Sequence, residues 1–213
     1  FPRPSALQIV TMNAEMVYAA TQDPEILRLL QQAEVVLPDG IGVVWALGRQ
    51  GVQVERVPGI DLVKNLLEKP LKFAILGSHP DTLDALLPVL QAQYPQAEVV
   101  FSHHGYFDAA QEADLIDQLQ SCGADILCVA LGVPRQEQWI QAHLDLGIPV
   151  MIGVGGSFDV ISGRLQRAPE WMQQARLEWF FRLLQQPSRW RRMLALPRFV
   201  NTVLRTPSGK SKP

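Results

Sequence analysis

The sequence has few cysteines and no long uninterrupted apolar run, and these two absences limit the classes of protein to which it can belong. Its two cysteines, Cys122 and Cys128, match none of the common metal-ligand spacings. We expect reduced, buried thiols of a cytosolic protein, with a redox or metal pair as the alternative. No run approaches the roughly 18 apolar residues of a spanning helix. The amino terminus also lacks the pattern of a secretory signal peptide, so a cytoplasmic globular protein is predicted.

Recognisable metal and phosphate motifs are missing as well. The four histidines form no HExxH arrangement, although His103 and His104 fall in a predicted loop where a functional role is one alternative. The chain contains no GxxxxGK[ST] sequence, and GVGGSF at 153–158 departs from GxGxxG at its sixth residue. We therefore predict no metal and no other cofactor.

Charge is distributed unevenly along the chain. The net charge is −2, but residues 1–160 carry a balance of −11 and residues 161–213 a balance of +9. A basic segment of this kind attracts anionic partners such as a membrane surface or nucleic acid.

Six apolar runs alternate with segments of helical periodicity. Continuous rather than alternating hydrophobicity is typical of strands that helices cover on both faces. The order predicts a doubly wound, mostly parallel, Rossmann-like α/β domain over residues 1–163. The predicted strands are 7–11, 34–37, 72–76, 97–101, 125–131 and 149–154. The predicted helices are 13–32, 41–49, 59–68, 80–93, 109–122 and 135–146.

The segment 164–206 is predicted to be a basic, amphipathic helical appendage, and 207–213 a disordered tail. Its apolar residues are spaced for two helical surfaces, the first formed by Trp171, Ala175, Trp179 and Leu183 and the second by Trp190, Leu194 and Leu204. Arginines recur every seven residues on another face, at Arg191, Arg198 and Arg205. Pro197 is expected to bend or interrupt the second helix.

Ligands of a doubly wound sheet gather beyond the carboxyl ends of its strands. Six polar residues fall at predicted strand exits: Thr11, Asn13, Asp39, Gln136, Glu137 and Asp159. Gly77 and the loop 153–156 would allow close approach of an anion. Several of these residues also have a purely structural explanation. Asn13 could cap a helix, and Asp39 could stabilise a turn. Glu137 could favour the start of a helix, and the glycines could serve tight turns.

Several longer signatures occur in one order between residues 7 and 200. They are TMNAEM, LPDGIGVV, RVPGIDL, ILGSHPDTL, HHGYFD, VALGVPRQEQWI and GVGGSFDVISGRLQRAPEWMQQARLEWFFRLLQQPSRWRR. On these motifs the sequence resembles the WecG/TagA/CpsF glycosyltransferases, bacterial enzymes that elongate lipid-linked saccharides. The resemblance implies transfer of an N-acetylmannosamine-type sugar from a UDP donor to a polyprenyl-diphosphate-linked N-acetylglucosamine, with inversion, in cell-surface polysaccharide or teichoic acid biosynthesis.

The resemblance also implies roles for the residues around the acceptor. Asp39 is the candidate base that removes the acceptor hydroxyl proton, and burial together with positioning would strengthen it. Thr11 and Asn13 would orient the acceptor or the base. Arg56 and Gln136 are the candidates for sugar or diphosphate contacts.

For the donor, the resemblance implies contacts from the remaining loops and from the tail. Tyr106 would pack against the nucleoside and Asp159 would hydrogen-bond to it, with structural roles as the alternative. Gly77 and Gly132 would permit close substrate approach. The family pattern points to arginines of the tail as stabilisers of the departing diphosphate: Arg182, Arg189 and Arg192. The absence of a DxD triplet favours this role over a bound metal, and a solvated helix face is the alternative.

A polyprenyl acceptor implies docking at an anionic membrane, at the inner face of the plasma membrane, through the tail, which we also expect to close the active site. The same apolar surface would alternatively serve a homo-oligomer contact. Two other classes stay open from the residues alone. One is a nucleic-acid-binding protein that uses the basic tail, and the other is a dinucleotide-dependent oxidoreductase without its glycine fingerprint.

Overall fold

The computed structural model describes residues 6–175 and 177–207, and the chain packs as two compact units. Of the described residues, the first unit comprises 6–10, 32–36 and 59–165. The second comprises 11–31, 37–58, 166–175 and 177–207. Apart from Pro207, the tail predicted to be disordered lies outside the described residues.

A single six-stranded parallel sheet has the strand order β2-β1-β6-β5-β3-β4. The strands are β1 (Leu7–Met12), β2 (Val35–Pro38), β3 (Lys72–Gly77), β4 (Glu98–His103), β5 (Ile126–Ala130) and β6 (Val150–Gly153). This order confirms the predicted doubly wound α/β fold. All six predicted strands are present, with ends shifted by one or two residues, as is usual for element boundaries.

The helices follow the strands in the order expected of such a fold. They are α1 (Ala14–Gln22), α2 (Pro24–Gln32), α3 (Ile41–Arg49), α4 (Gly59–Leu67), α5 (Pro80–Gln93), α6 (Ala109–Ser121), α7 (Arg135–Ala142), α8 (Ser157–Ile161), α9 (Glu170–Gln174), α10 (Glu178–Gln185), α11 (Trp190–Met193) and α12 (Ala195–Arg205). A 3₁₀ turn, Pro187–Arg189, precedes α11.

Two hydrophobic layers cover the sheet of the first unit. Successive residues of β3 alternate between them, with Phe73 and Ile75 in one layer and Ala74 and Leu76 in the other. All four are almost completely buried. Burial on both sides explains why the strands read as continuous apolar runs.

The two cysteines are free thiols of the first unit. Cys128 is buried in β5, and burial raises the pKa of its thiol to about 12. Cys122 is only half-buried, so the expectation of two buried thiols holds for Cys128 alone.

The prediction of one helix over residues 13–32 is wrong. The chain leaves the helix at Asp23, whose backbone is extended, and Pro24 begins α2. Proline suits the first position of a helix because its missing N–H would have no partner there. The predicted helix 135–146 is also too long, since α7 ends at Ala142.

The tail is more divided than its periodicity predicts. Trp171 and Trp179 do not share one helix, because α9 ends at Gln174 and α10 begins at Glu178. Pro197 lies in the first turn of α12, where proline breaks no helical hydrogen bond. The expected interruption is present, because α11 ends at Met193 and Pro197 lies in the first turn of a new helix that begins at Ala195.

The second unit has a small core of its own. Helix α12 packs against α1, and Ala14, Phe199 and Val203 are buried between them. A Cβ atom on Gly42 would lie 3.1 Å from the Phe199 ring, so α3 also approaches this ring closely. Across residues 6–175 and 177–207, every helix is too short or too polar to cross a bilayer.

Candidate active site

Two strand exits meet in the second unit. The N–H of Asp39, just after β2, donates to the carbonyl of Met12 at the end of β1 over 3.0 Å. Asn13 caps α1, where its Oδ1 accepts the Met16 N–H over 3.1 Å. A Cβ atom on Gly40 would lie 3.5 Å from the Cα of Asn13. The LPDG turn is therefore held directly against the start of α1.

These exits open into a cavity of about 490 Å³ within the second unit, a size typical of small-molecule sites. Five of the predicted site residues line it: Asn13, Asp39, Arg56, Arg182 and Arg189. Thr11 is half-buried in β1 and is not among the lining residues. The cavity thus brings the candidate base together with three of the predicted cations.

Arg56 is fixed beside Asp39 by two contacts. Its Nε donates to the main-chain carbonyl of Asp39 over 2.6 Å, and its Nη2 pairs with the carboxylate of Glu178. The Arg56 and Glu178 side chains are 28% and 25% exposed, respectively. A charge-assisted pair with one partner on α10 holds the guanidinium at the cavity wall.

Three carboxylates line this cavity, and two of them, Glu15 and Glu178, were not predicted from the sequence. Both bind arginines, because Oε2 of Glu15 accepts from Nε of Arg192 over 3.0 Å and lies 2.9 Å from its Nη2. Arg192 itself does not line the cavity. Glu178 had a sequence signal, since it is one of only two acidic residues after residue 160. Glu15 had none.

The predicted glycines lie at strand exits of the first unit. Gly77 has φ +124°, and a Cβ atom there would lie 2.5 Å from the carbonyl of Ala130, so only glycine fits. Gly132 has φ +80° but open space around its missing side chain. Both serve tight turns, and the space at Gly132 is compatible with a ligand as well.

Tyr106 and Asp159 also belong to the first unit. The Tyr106 side chain is an exposed ring, 65% accessible, with the rings of His79 and His104 edge-on at 5.5 and 6.3 Å. Such an exposed, supported ring suits stacking. Asp159, in the first turn of α8, accepts the Thr82 hydroxyl over 3.1 Å. Nucleoside contacts of both residues stay predictions.

Gln136 and Glu137 are buried side by side, each 3% exposed. The Gln136 amide donates to Oε1 of Glu137 over 2.7 Å, and its oxygen accepts the Gly155 N–H over 3.1 Å. Burial raises the pKa of Glu137 to about 7, against the opposing effect of the Gln136 hydrogen bond. Gln136 therefore links α7 to the loop after β6, and a direct substrate contact stays a prediction.

The predicted site residues thus divide between the two units. The second holds the group around Asp39 together with the tail arginines expected at the departing diphosphate, and the first holds the remaining candidates: Gly77, Tyr106, Gly132, Gln136 and Asp159. Among the described residues, no three His, Cys, Asp or Glu side chains are grouped as metal ligands. Metal-independent chemistry stays a prediction.

Comparison with known proteins identifies the family of this chain. Residues 2–213 match the model of the glycosyl transferase WecG/TagA/CpsF family. A protein of Bacillus subtilis (strain 168), the N-acetylglucosaminyldiphosphoundecaprenol N-acetyl-beta-D-mannosaminyltransferase, is 36% identical over 210 residues, or 95% of this chain and 80% of that protein. The protein of the same name from Bacillus spizizenii (strain ATCC 23059 / NRRL B-14472 / W23) is 35% identical over 212 residues, covering 96% and 81% of the two chains.

The match extends over both units and includes every strand exit described above. The cavity residues Asn13, Asp39, Arg56 and Arg182 all lie within it. The enzyme class predicted from the sequence signatures is confirmed, and the chain belongs to the WecG/TagA/CpsF family of glycosyltransferases.

Proposed function

We propose that this enzyme transfers an N-acetylmannosamine-type sugar from a UDP donor to a polyprenyl-diphosphate-linked N-acetylglucosamine, with inversion at the anomeric carbon. The names of the two relatives support the sugar and the lipid-linked acceptor. The observation that carries the proposal is the cavity in which Asp39 lies with Arg56, Arg182 and Arg189. It combines a carboxylate with cations, as attack by a hydroxyl and loss of a diphosphate require. The nucleic-acid-binding and oxidoreductase alternatives have no comparable support.

In the proposed reaction, Asp39 accepts the proton of the acceptor hydroxyl while that oxygen forms a bond to the anomeric carbon. The bond from this carbon to the donor phosphate oxygen breaks on the opposite face, and UDP leaves with the electron pair. Arg56 would hold the Asp39 loop in place through its hydrogen bond to the main-chain carbonyl. Arg182 and Arg189 would stabilise the charge on the departing diphosphate.

The proposed acceptor lies at a membrane, and we propose peripheral attachment at the inner face of the plasma membrane. Exposed apolar side chains of the tail include Trp171, Leu184 and Trp190, at 64%, 60% and 54% accessibility. Arginines accompany them, and each basic residue near an anionic surface contributes about 1 kcal/mol. Sedimentation with vesicles of neutral and anionic lipid tests this. We expect anionic-lipid binding that Leu184→Asp with Trp190→Asp weakens, and unchanged binding would refute attachment through the tail.

The reaction is tested by a donor screen against a short-chain lipid-diphosphate-N-acetylglucosamine acceptor, with UDP release as the readout. Asp39→Asn should lower kcat by about 10²–10⁴-fold, the range that general-base catalysis contributes. Asp84→Asn, an exposed carboxylate of α5, is the matched control. Turnover of Asp39→Asn near the wild-type rate would remove Asp39 from the role of base, and no turnover with any donor would reject the reaction.

A further inference from the structure

The cavity of the second unit is divided chemically by the elements that line it. Its charged side chains come from the start of α1, the exit of β2, the segment containing Arg56, α10 and the 3₁₀ turn. Every lining residue that α11 and α12 contribute is apolar: Met193, Leu196, Pro197, Phe199 and Val200. The cavity therefore has an ionic part and an apolar wall built by two consecutive helices.

The apolar wall contains side chains that the core of the second unit does not bury. Phe199 is 2% exposed and packs with Ala14 and Val203 in the core. Its neighbour Val200 lines the cavity but is 42% exposed, and Trp179 of α10 lines it at 43% exposure. Helix α12 thus directs one set of side chains into the core and leaves another facing an open cavity. A pocket that joins apolar walls to a few charged groups suits an amphiphilic ligand.

We propose that the α11–α12 wall binds the first isoprene units of the acceptor's polyprenyl chain. The proposal rests on the proposed function. With the acceptor hydroxyl at Asp39, the acceptor saccharide lies in the ionic part next to the departing donor diphosphate, and the chain attached to the acceptor's own diphosphate leaves along the apolar wall. The same molecule is then recognised at both ends, by charge at its head and by apolar burial at the start of its tail.

Binding to this subsite should depend on the length of the prenyl chain in a different way from attachment to a membrane. Binding to a bilayer continues to strengthen as an acyl or prenyl chain grows. A cavity of about 490 Å³ that also holds a saccharide and a diphosphate has room for only a short piece of chain. Recognition by the α11–α12 wall should therefore be complete within the first isoprene units and should operate without any membrane.

The test uses soluble N-acetylglucosamine-diphosphate acceptors that carry a methyl group, one isoprene unit or two, without lipid or detergent. We expect KM to fall at least about tenfold from the methyl to the two-isoprene acceptor, the effect of burying about two CH₂ groups, with kcat little changed. Val200→Asp should abolish most of this dependence on chain length. Leu204→Asp is the matched control, because Leu204 lies one turn further along α12, is 56% exposed and does not line the cavity.

Equal KM values for the methyl and two-isoprene acceptors would overturn the proposal, and so would equal losses in Val200→Asp and Leu204→Asp. Equilibrium binding of the same acceptors separates this inference from the reaction itself. Binding that strengthens with chain length but gives no turnover would reject the proposed reaction and support the apolar subsite. Turnover without any dependence on chain length would support the reaction and reject the subsite.

Discussion

At the scale of single residues, the sequence located the polar side chains of the cavity better than it explained their contacts. Asp39 and Asn13 were predicted because they follow apolar runs, and the structure brings Asp39 against Met12 and Gly40 against Asn13. Asn13 does cap α1, which is the structural role that its sequence position also suits. What no local pattern contains is the pairing of Arg56 with Glu178, because these residues lie 122 positions apart and meet only in the folded second unit.

The two contacts of Arg56 predict that the shape of its guanidinium group, as well as its charge, is needed for activity. Lysine would retain a cation near Glu178 but has no counterpart of the Nε–H that reaches the Asp39 carbonyl. We expect Arg56→Lys to lower kcat/KM about tenfold or more, the effect of losing one charge-assisted hydrogen bond. UDP-release kinetics measure this, with Arg28→Lys on the surface of α2 as the control. Equal activity of the two variants would contradict a positioning role for Arg56.

The buried carboxyl of Glu137 predicts a pH dependence of stability. Its pKa is raised from 4.5 to about 7, so the folded protein binds this proton more tightly than the unfolded chain. The contribution of Glu137 to the free energy of unfolding should therefore fall as pH rises from 4.5 to about 7 and stay low above that. The full loss is about 3 kcal/mol at most.

Glu137→Gln removes the titration and should flatten this part of the pH profile. The variant should be more stable than the wild type at pH 8 by about 1–3 kcal/mol, with little difference near pH 4.5. Urea unfolding at several pH values measures this, and Glu98→Gln on the exposed side of β4 is the control. A wild-type excess of stability at pH 8 would show that ionised Glu137 is stabilised by its surroundings.

At the scale of elements, hydrophobic patterning predicted the sheet well and the tail poorly. Strands buried on both faces give continuous apolar runs, which can be recognised in the sequence without knowledge of the fold. The breaks after Gln22 and Gln174 were missed, because periodicity continues across both. The break after Gln22 could have been predicted from Pro24, because a helix tends to end before a proline.

The close approach of α7 to β6 gives an element-scale prediction. A Cβ atom on Gly153 would lie 2.5 Å from Nε2 of Gln136, too close for the buried amide to keep its hydrogen bonds. Gly153→Ala should lower the free energy of unfolding by about 1–3 kcal/mol, as other overpacking substitutions do. The midpoint of urea unfolding measures the change.

Gly48→Ala provides the matched control for that substitution. Gly48 lies within α3, and a Cβ atom there would meet nothing within 4 Å. Alanine should therefore stabilise the protein by about 0.5–1 kcal/mol, because it favours the helix and restricts the unfolded chain. If both alanines changed stability in the same direction, the contact between Gly153 and Gln136 would not be the cause.

At the scale of the whole molecule, the uneven charge along the chain indicated two parts but did not predict the boundaries of the two compact units. The basic segment begins after residue 160, and the second unit takes in residue 166 onward. The same unit also includes 11–31 and 37–58, which carry the candidate base and the Arg56 segment. Long-range packing such as that of α12 on α1 leaves no local signature, so the sequence predicted tail arginines at the active site but not the apolar side chains of α11 and α12 that line the cavity.

The division into two units predicts that core substitutions act within the unit that contains them. Phe199 is buried among residues of the second unit, and Leu119 among residues of the first. Each substitution by alanine should cost about 2–5 kcal/mol where the cavity forms. In hydrogen exchange, Phe199→Ala should reduce the protection of α1 amides more than that of α6 amides, and Leu119→Ala should do the reverse. Equal losses in α1 and α6 from either variant would show that the two units unfold as one cooperative body.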